Sequence, residues 1–265
     1  MYVLSKEKLK QIAKLKSEKE RKNQGRFLIE GIRLCQEALS SDWEVEIVLF
    51  SNEFVESSEG EKLVENFSRR GTEVFRVKKK EIEKLADTET PQGIVAVVRK
   101  KKFALSKDFL EGTSLLLCLD NIRDPGNLGT MIRTADAAGV NGVLLSNGCV
   151  ELYNPKVIRS TMGSILHLPL IENLDLKEIL PEMKNSGFRV FVSEVHEGKD
   201  YTRIDYPEKT CLIIGSEAFG VGKQVLNLAD EKVRIPIFGK AESLNASVAT
   251  GILLYQIIHN KKGTS

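Results

Sequence analysis

A two-part α/β fold is what this sequence predicts. Apolar, β-branched runs of strand length alternate with amphipathic segments of helix length along almost the whole chain. A charged stretch at residues 100–108 interrupts that alternation and marks a domain boundary near residue 102. The 265 residues suffice for a full core and for two domains of ordinary size.

The elements follow in order. Residues 1–22 are Lys-rich and lack the apolar centre of a secretory signal; they predict an amphipathic helix on Leu4, Leu9, Ile12 and Leu15. Residues 27–39 read as an amphipathic helix, 45–50 as a strand, 61–70 as a helix and 73–77 as a strand. A helix near 80–86 and a β-branched strand at 93–99 close the first domain, 1–102. In the second, 107–265, buried strands are expected at 114–119, 142–145, 188–192, 211–215 and 233–237, with helix-length segments between them. Near-continuous apolar strands in that alternation predict a mostly parallel sheet.

Composition narrows the function classes. With 42% apolar and 29% charged residues and no stretch of membrane-spanning length, a soluble cytoplasmic protein with no membrane partner is expected. Cys35, Cys118, Cys149 and Cys211 are scattered, which favours neither disulfides nor zinc. His167, His196 and His259 show no metal-ligand spacing and form no hydrolase order, so no metal is expected. Net charge is only +2, but the first 102 residues hold 22 Lys and Arg against 18 Asp and Glu, and the remainder 17 against 19. The basic excess in front, with the runs Lys78-Lys79-Lys80 and Arg99-Lys100-Lys101-Lys102, is where phosphate contacts would be natural.

Residues suited to chemistry concentrate in three later segments. Asp120-Asn121-Ile122-Arg123-Asp124-Pro125-Gly126 leads from a strand to Asn127-Leu128-Gly129-Thr130-Met131-Ile132-Arg133. Pro125 and Gly126 force a turn, so Asn127 falls at a helix N-cap. Arg133, six residues on at about 3.6 residues per turn, lies on a different side of that helix. Next, Leu212-Ile213-Ile214 ends in Gly215-Ser216-Glu217-Ala218-Phe219-Gly220, where glycine lets backbone approach a ligand. This is no phosphate-binding P-loop, since Gln224 follows Gly222-Lys223 where Ser or Thr is required, and no G-x-G-x-x-G follows a strand. Last, Ile235-Pro236-Ile237 runs on to Ser243-Leu244-Asn245-Ala246-Ser247, and a helix over 243–259 is opened by Ser243 or Asn245.

Taken together, in this order and spacing, the three segments resemble motifs 1, 2 and 3 of the SpoU (TrmH-like) family, S-adenosylmethionine-dependent RNA ribose methyltransferases of the knotted SPOUT superfamily. The resemblance implies a deep trefoil knot, an exception to unknotted folding, and a homodimer assembled through the C-terminal domain. It assigns S-adenosyl-L-methionine to Gly215, Ile235 and Leu244, with Ser193 and Glu194 as further candidates, and catalysis to Asn127, Arg133, Glu217, Ser243 and Asn245. In the family the Arg matching Arg133 approaches the 2′-hydroxyl as its base. A guanidinium holds its proton too tightly to serve readily as a base, so a second role is open, pairing with the target phosphate and stabilising the developing alkoxide. Ala218 and Phe219 depart from the usual glycine-rich form of motif 2.

Nearer the N-terminus, Arg26-Phe27-Leu28-Ile29-Glu30-Gly31, Arg33, Glu37-Ala38-Leu39 and Thr90-Pro91-Gln92-Gly93-Ile94 are similar to the substrate-binding domain of ribosomal-RNA members, a ribosomal-protein-like α/β/α fold that grips RNA. Phe27 and Ile29 read as core; Arg21, Lys22, Arg26 and Arg33 read as RNA backbone contacts. The expectation is an RNA ribose 2′-O-methyltransferase acting on structured RNA, large-subunit ribosomal RNA first. The alternatives are a tRNA methyltransferase and a non-catalytic RNA-binding protein on the same fold.

Overall fold

The computed structural model describes residues 4–217 and 219–263, so Ala218 of the second motif and the first three residues of the basic N-terminal segment lie outside it. The chain begins with helices α1 (Lys6–Lys14) and α2 (Glu18–Gln24), then β1 (Arg26–Glu30), α3 (Ile32–Ser40), β2 (Val45–Phe50), α4 (Ser58–Arg69), β3 (Glu73–Arg76), α5 (Lys79–Leu85) and β4 (Ile94–Arg99). It continues through α6 (Lys107–Glu111), β5 (Leu115–Asp120), α7 (Pro125–Ala137), β6 (Gly142–Ser146), α8 (Pro155–Thr161), β7 (Leu170–Leu174) and α9 (Leu176–Asn185). The final elements are β8 (Arg189–Ser193), β9 (Lys199–Asp200), β10 (Thr210–Gly215), α10 (Lys223–Leu226), β11 (Glu231–Arg234) and α11 (Ala246–Gly263). Two compact units result: the chain up to Lys101 with Tyr153–Leu166, and Lys102–Leu152 with the chain from His167 on.

The first unit is built on a four-stranded sheet, order β1-β4-β2-β3, in which β4 is antiparallel to both neighbours and β2 pairs with β3 in parallel. Its opening corrects the single helix expected at 27–39. Phe27 and Ile29 alternate into the core at 0% and 1% exposure, a period of two that makes β1 a strand. Gly31, at φ +89°, turns the chain into α3, a conformation that side chains with a Cβ resist. Two periodicities abut here and mimic one helical stripe.

Residues 153–166 belong with this unit by their contacts, although the continuous bounds 1–102 and 107–265 place them in the second part. Tyr153 packs its ring 4.7 Å from that of Phe27, and Trp43 Nε1 donates to the Leu166 carbonyl at 3.0 Å. Arg159 bridges Asp87 and Glu30. Tyr153, Val157 and Ile158 are buried by this docking.

The second unit holds a seven-stranded sheet, order β7-β6-β5-β10-β8-β11-β9, with every pairing parallel. Leu115–Asp120 is buried at every position and β10 at all but its last, which is why both read as unbroken apolar runs. β7 was not anticipated: it is five residues long, half exposed, and carries Asn173 at φ +60°. The strand expected at 233–237 instead ends at Arg234, because Pro236 has no N–H to give a ladder. On one face, α11 packs across α7, with Gly251 against Thr134. No helix of the described residues is long and apolar enough to cross a membrane.

Candidate active site

The three motifs lie on loops that leave the C-terminal ends of β5, β10 and β11, the edge of a parallel sheet where ligands bind. Asn127 is not the cap expected of it. Asp124 caps α7, its Oδ1 accepting from the Asn127 N–H at 2.8 Å, and Pro125 occupies the first turn, where a missing N–H costs nothing. The Asn127 side chain is thereby released for another task. Its Nδ2 donates to Glu217 Oε1, and its Oδ1 accepts from Asn245 Nδ2 at 3.0 Å.

One hydrogen-bond chain, Glu217–Asn127–Asn245, thus ties motif 2 to motif 1 and motif 1 to motif 3. Asn245 is pinned at its other end as well: its Oδ1 accepts from the Ser247 N–H at 2.9 Å and the Ser247 hydroxyl at 2.6 Å, which caps α11. α11 therefore opens at Ala246, and Ser243 is neither its cap nor a member of the chain. Arg133 is exposed on α7 and makes no hydrogen bond or ion pair with any described residue. Its guanidinium keeps five donors for a ligand.

A second grouping was expected only through resemblance. Ser193, Glu194, Ile235, Ser243 and Leu244 all line one cavity, although their segments are far apart in the chain. Ile235 and Leu244 give it apolar walls, while Glu194 and the two serines give acceptors and hydroxyl donors, a donor set that fits an adenosyl group with polar substituents. The space between them is about 40 Å³. Gly215 is not on this rim. It ends β10 beside Asp120, and a Cβ there would collide with the backbone of Gly220 and Val221.

Of the basic residues singled out, Arg21 is corrected. It is 3% exposed, and its Nη1 donates to the carbonyls of Leu15 at 2.9 Å and Lys16 at 2.8 Å, closing the end of α1. Lys22 and Arg26 reach solvent while pairing with Glu18 and Glu46, and Arg33 is exposed. Sequence reasoning passed over Asp120, a 4% exposed carboxylate whose Oδ2 accepts from the Gly222 N–H at 3.0 Å and so joins the motif 1 and motif 2 loops. Its signal was an acid ending an otherwise wholly apolar strand.

The chain is a member of the SpoU rRNA methylase family, which it matches over residues 114–255, while residues 6–96 match the MRM3-like substrate binding domain. It is 36% identical over 251 residues to the 23S rRNA (guanosine(2553)-2′-O)-methyltransferase RlmP of Bacillus subtilis (strain 168), covering 95% of this chain and 96% of that one. Among solved structures, the AdoMet-bound rRNA methyltransferase of Sinorhizobium meliloti superposes with a TM-score of 0.86 at 29% identity, over 98% of this chain and 97% of the other. The SpoU methyltransferase AviRb of Streptomyces viridochromogenes, in complex with AdoMet, gives 0.84 at 26%, over 97% and 99%.

Proposed function

We propose that the protein transfers a methyl group from S-adenosyl-L-methionine to a ribose 2′-hydroxyl of large-subunit ribosomal RNA. The observation that carries this reading is the Glu217–Asn127–Asn245 chain, because it draws residues of all three motifs into one rigid polar group. The likeness to a 23S rRNA 2′-O-methyltransferase over nearly the whole chain supports the choice of RNA and of atom.

When bound, S-adenosyl-L-methionine supplies a methyl group on an electrophilic sulfonium. Ile235 and Leu244 would pack its adenosine, with Ser193, Glu194 and Ser243 meeting its polar groups and Gly215 shaping the adjoining turn. Arg133 pairs with the target phosphate and, as a cation, stabilises the oxyanion that grows at the 2′-oxygen while its proton passes to solvent water. Asn127, held by Glu217 and Asn245, fixes the start of the helix that carries Arg133.

The same reading gives residues 1–102 the role of RNA grip through Lys22, Arg26 and Arg33, without Arg21, and residues 107–265 the knotted catalytic role. It also makes the protein a cytoplasmic homodimer. Val248 and Tyr255 support this: seven residues apart on one side of α11, they are 51% and 54% exposed, an apolar stripe suited to a second copy.

The test combines calorimetric titration with S-adenosylmethionine and site mapping on ribosomal RNA from cells lacking the gene. Binding without added metal, a label found on a ribose, and no methylation of RNA carrying 2′-deoxy at the target are expected. Failure of folded protein to bind the cofactor, or a label on a base, would sink the proposal. Methylation of tRNA alone would move it to the alternative substrate.

A further inference from the structure

The second unit has a larger cleft that the proposed chemistry does not use. It lies at the C-terminal ends of β5, β6 and β7, with a volume of about 420 Å³, within the roughly 300–1,000 Å³ typical of small-ligand sites. The sheet order makes this a privileged place: β5, β6 and β7 lie in chain order on one side of the sheet and β8 to β11 all lie on the other, so the crevice begins at the β5–β10 pair where the chain changes side.

The floor of the cleft is held stiffly. Asp120 accepts from the Gly222 N–H through Oδ2 and from Asn121 Nδ2, at 2.9 Å, through Oδ1. Asn121 is kept at φ +57°, its N–H donating to Ser146 Oγ at 3.0 Å, and its amide lies where a Cβ on Gly148 would sit. A non-glycine residue in that conformation persists only when its surroundings hold it there.

The rim, by contrast, is uncommitted. Asn147, Lys223 and Gln224 are exposed and make no side-chain hydrogen bond or ion pair with any described residue. Both carboxylates at the cleft are already engaged: Asp120 as above, and Asp175 through the Lys177 N–H at 3.0 Å and Lys177 Nζ at 3.4 Å. Leu174, Leu176 and Val225 add apolar walls. Two free amides, an ammonium and a small apolar lining match a nucleotide: amides for the hydrogen-bonding edge of a base, the apolar lining beside its ring, the lysine for a phosphate.

We infer that this cleft holds an unpaired nucleotide of the substrate RNA next to the methylated one. The inference rests on the proposed RNA methyltransferase function. Position supports it, because the two loops that wall the cleft also carry the reactive group: 120–127 bears Asp120 and Asn121 at the cleft and Asn127 in the hydrogen-bond chain, and 215–222 bears Glu217 in the chain and Gly222 at the cleft. Seating a neighbouring nucleotide here sets the register of the ribose brought to Arg133.

The experiment uses the full-length protein and ribosomal RNA from cells lacking the gene, with ultraviolet crosslinking and mass spectrometry to locate nucleotide adducts. Adducts at 146–148, 174–177 or 222–225 are expected. Asn147→Ala, Lys223→Ala and Gln224→Ala, all surface changes, should each raise KM for RNA about tenfold or more while leaving S-adenosylmethionine affinity and melting temperature unchanged. Adducts confined to other segments while the wild type methylates RNA, or variants with wild-type KM, overturn the cleft assignment alone. A protein that crosslinks at the cleft but methylates no RNA keeps the cleft as an RNA-binding site, while the proposed activity and the placement beside a methylated nucleotide both fall. Binding of free GMP or UMP in the cleft more tightly than the RNA would overturn the assignment to a polymer.

Discussion

Arg133 and Arg21 have the same side chain and opposite fates. Among the described residues Arg133 has no hydrogen-bond or ion-pair partner, while Arg21 is sealed under the end of α1. Arg133→Ala is expected to leave cofactor affinity nearly unchanged while lowering turnover by roughly two to four orders of magnitude, the range of lost proton-transfer or electrostatic assistance. Single-turnover kinetics beside calorimetry check this, and near-normal turnover would remove Arg133 from the mechanism. Arg21→Ala should do the reverse: RNA affinity holds while stability falls by about 1–3 kcal/mol, because one buried and one part-buried carbonyl lose their donor. Urea unfolding and RNA titration would show which of the two falls. Sequence left both arginines as functional candidates, since charge and helix position are local and only burial shows that Arg21 is structural.

At the scale of elements, the strands of the parallel sheet were legible because both of their faces are covered, which demands unbroken apolar runs such as Leu115-Leu116-Leu117-Cys118-Leu119. β1 was not, because five residues of period two run straight into a helix across Gly31. The loop at 235–245 has neither period. Phe238 and Leu244 leave this segment with exposed apolar side chains. Hydrogen exchange in this loop is therefore expected to slow by at least several-fold on adding S-adenosylmethionine, with β5 and β10 unchanged. Equal exchange with and without cofactor at saturation would show that the 235–245 segment does not open and close around it.

For the molecule as a whole, the consequence of residues 153–166 is that the N-terminal unit is not a continuous piece of chain. A fragment ending at residue 102 leaves Phe27 without the Tyr153 ring and Trp43 Nε1 without the Leu166 carbonyl. Such a fragment should retain helical signal but lose cooperative unfolding and bind a hydrophobic dye, the behaviour of a core without fixed packing. A sharp thermal transition matching that of the full chain would show that the unit folds without α8.

Taken alone, the order of residues determined the α/β class, the parallel sheet and the three motifs, because periodicity and turn chemistry are local properties written into neighbouring positions. Tertiary structure decided which motif residues act together. That Asn127 yields its capping duty to Asp124 and reaches Glu217 and Asn245, 90 and 118 residues away, depends on strands β5, β10 and β11 ending at one edge of the sheet. Likewise, Ser193, Glu194, Ile235, Ser243 and Leu244 meet around one cavity only because their segments are folded against each other. Contact between distant positions is set by packing, and packing leaves no periodic trace in the chain.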